Sequence, residues 1–325
     1  MQLKYASRIA AILFLTLLSA CKKDTKAIPQ DEYVVTTLAG SGDGFADGTG
    51  TAARFRGPIG IATDAQGNVF VADVGNDRVR KITPAGVVTT LAGSSSTVLY
   101  TSQGWLTADA QGNVYAAEGP RIHKFTPAGE VSTIAGSTPG FADGPVSTAK
   151  FANIGGITVD AQGTIYVSDI GNNRIRKITP GGVVSTLAEY ISSFGNLFPL
   201  ASDLHGNVYV ADYAGRRISK ITTAGVVSTF ASIGQSPGSG PSGVATDAAG
   251  NVYVTESGFF GVHHHIDKID AAGVVTVIAG GNRGYTDGNG STAQFDTPVG
   301  VATDAQGTIY VTDYGNNRIR KISKK

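Results

Sequence analysis

Three adjacent histidines, His263-His264-His265, have the type and spacing that point most directly to chemistry in this chain. Along an extended strand alternate side chains share a face, so His263 and His265 point the same way and form a candidate pair of ligands for a divalent cation. The sequence places no third ligand beside them, and a solvated loop is the other reading. A second set is Asp47, Asp143 and Asp287. Each sits in a Gly-aromatic-x-Asp-Gly segment followed by Ala-x-Phe, as in Gly44-Phe45-Ala46-Asp47-Gly48 with Ala53-Arg54-Phe55. These carboxylates are candidate ligands for a cation or a sugar hydroxyl, or else they orient a glycine turn. A third set is Asp73, Glu118, Asp169, Asp212, Glu256 and Asp313, which recurs at one place in a repeat and is read as organising the loop that follows. Aromatic residues Tyr100, Trp105, Tyr190, Phe194, Phe198, Phe259 and Phe260 complete a candidate ligand-binding face. They suit sugar rings or a protein partner, or equally the covering of gaps between loops.

The elements that position these residues follow from an internal repeat. The stretch Asp64-Ala-Gln-Gly-Asn-Val-Phe-Val-Ala-Asp73 recurs from Asp109, Asp160, Asp203, Asp247 and Asp304. A period near 45 residues with several strand-like runs per copy marks a β-propeller blade. In blade one the runs are Gly60–Thr63, Asn68–Asp73, Arg78–Thr83 and Val87–Gly93. The turns Asp64-Ala65-Gln66-Gly67, Gly75-Asn76-Asp77 and Pro84-Ala85-Gly86 join them. Several of the runs are apolar on both faces, as strands sandwiched between two neighbouring sheets must be, while the third is less regular, as a bulge or a strong twist on an outer strand would make it. The sixth copy stops after its third strand, Arg318–Ser323, while a matching fourth strand, Val34–Gly40, stands at the other end. The expectation is an all-β, six-bladed β-propeller with four-stranded antiparallel blades, its ring closed by the N-terminal strand completing the last blade.

The pattern Asp-x-x-Gly-Asn-Val-Tyr-Val-x-Asp-x-Gly-Asn-Asn-Arg-Ile-x-Lys-Ile resembles NHL repeats, and the resemblance extends from residue 33 to 325. Blades one, three and six match best. Blade two has Glu118-Gly119-Pro120-Arg121 at the Gly-Asn step, blade four Ala214-Gly215-Arg216-Arg217, and blade five a longer loop. The family spans scaffolds, sensors and a few enzymes. Its amidating lyases hold zinc over the axis with histidines from separate blades, but the inner strands expected here, such as Ile59–Thr63 and Val299–Thr303, contain none. His123 lies on a third strand and His205 in a turn. Nor do these strands offer the carboxylate that lactonase-like propellers use before their closing Asp.

The first residues carry a different signal. Lys4 and Arg8 precede the apolar run Ile9–Leu18, which ends in Leu18-Ser19-Ala20-Cys21. This reads as a signal peptide over 1–20 with a lipobox-like end, a lipidated Cys21, a polar tether over 21–32 and the propeller over 33–325. Cys21 is the only cysteine, so no internal disulfide is expected. With 26 basic and 25 acidic residues the chain carries a net charge of +1, which argues against nucleic-acid binding. The repeated Arg-x-Arg-Lys is expected to form a solvated rim.

The functional expectation is a monomeric, non-catalytic binding or scaffold module for a protein or glycan, held in the bacterial cell envelope, at the outer membrane, by its lipid anchor. It requires no cofactor. The alternative is a carbohydrate- or lactone-directed lyase or hydrolase with a divalent cation on the variable face near His263 and His265.

Overall fold

The computed structural model describes residues 32–92, 104–189, 199–234, 238–258 and 264–325. Cys21, Tyr100, Tyr190, Phe194, Phe198, Phe259, Phe260 and His263 lie outside the described residues. The described chain forms six antiparallel sheets arranged as a ring. Its inner strands are Pro58–Thr63, Leu106–Ala108, Ile154–Val159, Leu200–Ser202, Ser239–Thr246 and Pro298–Thr303, each packed against the inner strands of the two neighbouring blades. Closure occurs as expected. Tyr33–Ala39 pairs with Arg318–Lys324, with Tyr33 opposite Lys324 and Val35 opposite Ile322.

The blades are not all alike. Blades one, three and six carry a fifth, outermost strand of two residues, Gly48–Thr49, Gly144–Pro145 and Gly288–Asn289. Each is supplied by the Gly-aromatic-x-Asp-Gly segment leading into that blade, so the four-stranded expectation is corrected there. A bulge lies beside the third strand. Val79 pairs with Ala92 but Arg80 with Thr90, which leaves one extra residue in the fourth strand as a bulge. Equivalent register shifts occur in the other five blades, for example between Ile175 and Arg176 and between Ile266 and Asp267.

Burial on both faces explains the pattern of the second strands. Val69–Asp73, Ile165–Asp169, Val208–Asp212 and Ile309–Asp313 are buried at every position. Among the described residues the buried apolar side chains fall into six clusters, and each straddles one gap between blades. Phe70 and Val79 of blade one meet Val114 and Phe125 of blade two, while Ile61 and Ile82 of blade one meet Tyr310 and Ile319 of blade six. A blade therefore has no core of its own, and hydrophobic burial is complete only in the closed ring. Near the axis the backbones come close enough to require glycine. A Cβ on Gly60 would meet the Gly104 carbonyl oxygen, and one on Gly300 would meet that of Ile59.

Candidate functional site

Three places gather polar chemistry. The first is the axis. The last three residues of every inner strand line a channel of about 140 Å³, whose walls are aliphatic and hydroxyl side chains. The hydroxyls tie blade to blade. Thr63 Oγ1 donates to Thr303 O, Thr303 Oγ1 to Thr246 O, and Thr246 Oγ1 to Ser202 O, each at 2.7 Å. Ser202 Oγ lies 3.2 Å from Thr158 Oγ1, and Thr107 Oγ1 accepts from the Val159 N–H at 3.3 Å. In blades two and three the hydroxyl sits one residue earlier, where Ala108 and Val159 precede the turn Asp. The sequence signal for this ring was a Ser or Thr beside each turn Asp, masked by that one-residue offset.

The turns next to this channel behave as expected. Asp64 Oδ1 accepts the N–H groups of Gln66 and Asn68 at 3.0 and 2.8 Å, and the same pattern recurs from Asp109, Asp160, Asp203, Asp247 and Asp304. Five of these carboxylates also accept a second-strand tyrosine hydroxyl, from Tyr115, Tyr166, Tyr209, Tyr253 and Tyr310. Burial and the adjacent Asp160 carboxylate push the Tyr166 hydroxyl up to about 12.

The second place is a clamp repeated in blades one, three and six. Arg80, Arg176 and Arg320, the second arginines of Arg-x-Arg-Lys, have no solvent exposure, which corrects the expected solvated rim. Arg80 Nη1 donates to Asp73 Oδ2 and Nη2 to Asp47 Oδ1, both at 2.7 Å, and Nη2 also reaches the Ala46 carbonyl. Its guanidinium lies over the Phe55 ring. Arg176 joins Asp169 and Asp143, and Arg320 joins Asp313 and Asp287, in the same way. The linker carboxylates further accept a fourth-strand Thr, Thr90 for Asp47 and Thr186 for Asp143, or the equivalent Thr37 for Asp287. Asp47, Asp143 and Asp287 thus hold linker to blade while remaining about half exposed. The linker aromatics Phe45, Phe141 and Tyr285 stack outside on Arg78, Arg174 and Arg318 and stay exposed. Trp105, by contrast, is 8% exposed and packs among Ile154, Ile157 and their neighbours rather than presenting a face to ligand.

The third place is in blade five. His265 Nε2 lies 3.1 Å from Glu256 Oε2 and 3.6 Å from Asp267 Oδ1. His265 is thus joined by two carboxylates that the sequence had not grouped with it. In the sequence Glu256 belongs to the recurring set expected to organise loops, and Asp267 stands outside every such set. Burial pushes the Asp267 carboxyl up to about 7, with Glu256 adding and His265 opposing. Burial disfavours the His265 cation, but its bond to Glu256 and the two nearby carboxylates outweigh that and raise its pKa. His264 faces the other way, its Nδ1 accepting from the Thr297 N–H of the linker into blade six.

The NHL repeat family model matches residues 55–82 and 295–322. Protein SUPPRESSOR OF QUENCHING 1, chloroplastic, of Arabidopsis thaliana is 36% identical over 84 residues, 25% of this chain. The chain spans only 8% of that relative's length. Among solved structures, a protein of unknown function from Bacteroides thetaiotaomicron superposes with a TM-score of 0.73 at 20% identity, over 90% of this chain and 76% of its own. An auxiliary nutrient binding protein from the same organism gives 0.67 at 16% identity, over 90% and 77%. A streptogramin B lyase gives 0.61 at 14% identity, over 90% and 98%. At these identities the structures are similar in fold, and their activities remain their own. Ring topology makes this chain a six-bladed β-propeller, and the NHL repeat matches lie in its first and last blades.

Proposed function

We propose that the protein is a lipid-anchored, extracytoplasmic binding propeller that holds a protein or glycan partner on its loop face without transforming it. The observation that carries this reading is the chemistry of the axis. Its channel is walled by aliphatic side chains and by Ser and Thr hydroxyls committed to neighbouring blades. Such a wall can donate and accept hydrogen bonds, but its groups do not exchange protons near neutral pH. A nutrient-binding protein on the same frame gives precedent for a binding role. The exposed stacked aromatics Phe45, Phe141 and Tyr285 offer flat faces suited to sugar rings or to a protein surface. Anchoring rests on Cys21 behind the apolar run Ile9–Leu18.

The test is a glycan array and envelope pull-down with the full chain, alongside metabolic labelling with a radiolabelled fatty acid. Saturable binding that weakens in a Phe45→Ala, Phe141→Ala, Tyr285→Ala variant supports the reading, as does label lost in Cys21→Ser. Turnover of a bound lactone or glycan would overturn the non-catalytic part, and label retained in Cys21→Ser would overturn the anchor.

A further inference from the structure

In the clamp blades, Arg80 stands opposite Val71, Arg176 opposite Val167 and Arg320 opposite Val311. In blade five the residue at that position, opposite Val254, is Asp267. The second-strand acid that the arginine neutralises elsewhere is retained as Glu256. A buried guanidinium has therefore been exchanged for a buried carboxylate, while the carboxylate it served remains. Glu256 is 4% and Asp267 2% exposed. Two carboxylates held this close out of water require a compensating positive charge or a proton. His265, opposite Glu256, supplies part of that compensation. Asp267 Oδ1 still has no hydrogen-bond donor, although it is buried and directed at His265.

We infer that Glu256, His265 and Asp267 form a binding site for a divalent cation of the zinc class, which takes the place that the arginine guanidinium holds in blades one, three and six. One ligand atom from each of the three lies within 4.8 Å of the others. Ligands about 2.0–2.1 Å from a zinc ion at tetrahedral angles lie roughly 3.3–3.4 Å apart. The separations of 3.1 and 3.6 Å from His265 Nε2 bracket that edge. Two oxygens and one imidazole nitrogen suit Zn²⁺ or Mn²⁺ better than Mg²⁺ or Ca²⁺, which favour oxygen. The fourth coordination position is left to water or a ligand. On binding, the ion accepts lone pairs from the carboxylates and the imidazole, and protons carried by these groups leave to solvent. The site lies between the second and third strands of its blade, apart from the axial channel.

The experiment titrates Zn²⁺ into chelator-treated full chain without an affinity tag, followed by calorimetry and by thermal melting. One ion per chain and a melting temperature higher by a few degrees at saturating zinc are expected. Asp267→Asn should weaken binding at least about 100-fold, since a ligand is lost outright. Asp267→Arg provides the control for folding. It restores the charge pair of the other blades, so it should fold and melt cooperatively while binding no zinc at this site. His263→Ala should leave the stoichiometry unchanged. Absence of saturable binding in the native chain overturns the proposal. So does a stoichiometric ion that survives Asp267→Arg, or one that is lost only with His263→Ala.

Discussion

Arg80 Nη1 lies 2.7 Å from Asp73 Oδ2, and neither side chain has any solvent exposure. The pair closes blade one from inside, because the same guanidinium holds the linker through Asp47 and the Ala46 carbonyl. Removing only the cation strands a buried carboxylate, which typically costs about 3–5 kcal/mol. Arg80→Ala should therefore destabilise the protein by that amount in urea unfolding. The double variant Arg80→Met with Asp73→Asn should recover a large part of it, since no fully buried charge is then left unpaired and Asp47 is about half exposed. Equal losses in the single and double variants would contradict the pairing.

Ring closure makes a second prediction. Tyr33, Val35 and Ala39 are buried, and their strand covers Ile319 and Ile322. Deleting residues 33–40 uncovers an inner face and the edge of blade six together. Because each kcal/mol moves the midpoint of a chain this size by roughly 2–4 °C, the loss should exceed about 10 °C. A truncated chain melting within a few degrees of the full one would refute closure.

Gly300 offers a local test of how closely the blades approach at the axis. A methyl group there meets the Ile59 carbonyl oxygen and the Thr312 hydroxyl, which itself donates to that carbonyl. Overpacking of this kind costs about 1–3 kcal/mol. Gly300→Ala should fall in that range, whereas Gly307→Ala, which meets nothing nearby, should register only its positive φ of 79°. Circular dichroism melts of the two variants distinguish them.

The tyrosine–aspartate pairs predict the alkaline limb of stability. Burial and the partner carboxylate raise the hydroxyls of Tyr115, Tyr166, Tyr253 and Tyr310 above their ordinary value near 10. The folded chain then keeps protons that the unfolded chain releases, so stability must fall as pH rises above about 10 and continue falling to about 12 and beyond. Tyr166→Phe should shallow that slope while costing about 1 kcal/mol at neutral pH for the lost hydrogen bond. Urea unfolding at stepped pH measures both, and an unchanged slope would count against the pair.

The alternation of apolar runs and turn residues, the period and the matched ends determined the ring, its blade count and its closure. These features are local or periodic, and a closed ring is the arrangement that buries strands apolar on both faces. The carboxylates of Asp64 and its repeats were legible for the same reason, since they act on backbone two and four residues away. Arg80 was not, because a cation on a strand reads as solvent-facing until the linker folds over it and brings Asp47 and Phe55 to the guanidinium. The axial hydroxyls leave no local pattern, because each bonds to a different blade more than 40 residues away. The blade-five cluster shows the same division. The sequence singled out His265 for its histidine neighbours, but antiparallel pairing turned it instead toward Glu256 across the strand and Asp267 beside it. Which residues share a strand is written in the chain; which side chains share a buried charge is decided only when neighbouring strands and linkers exclude water around them.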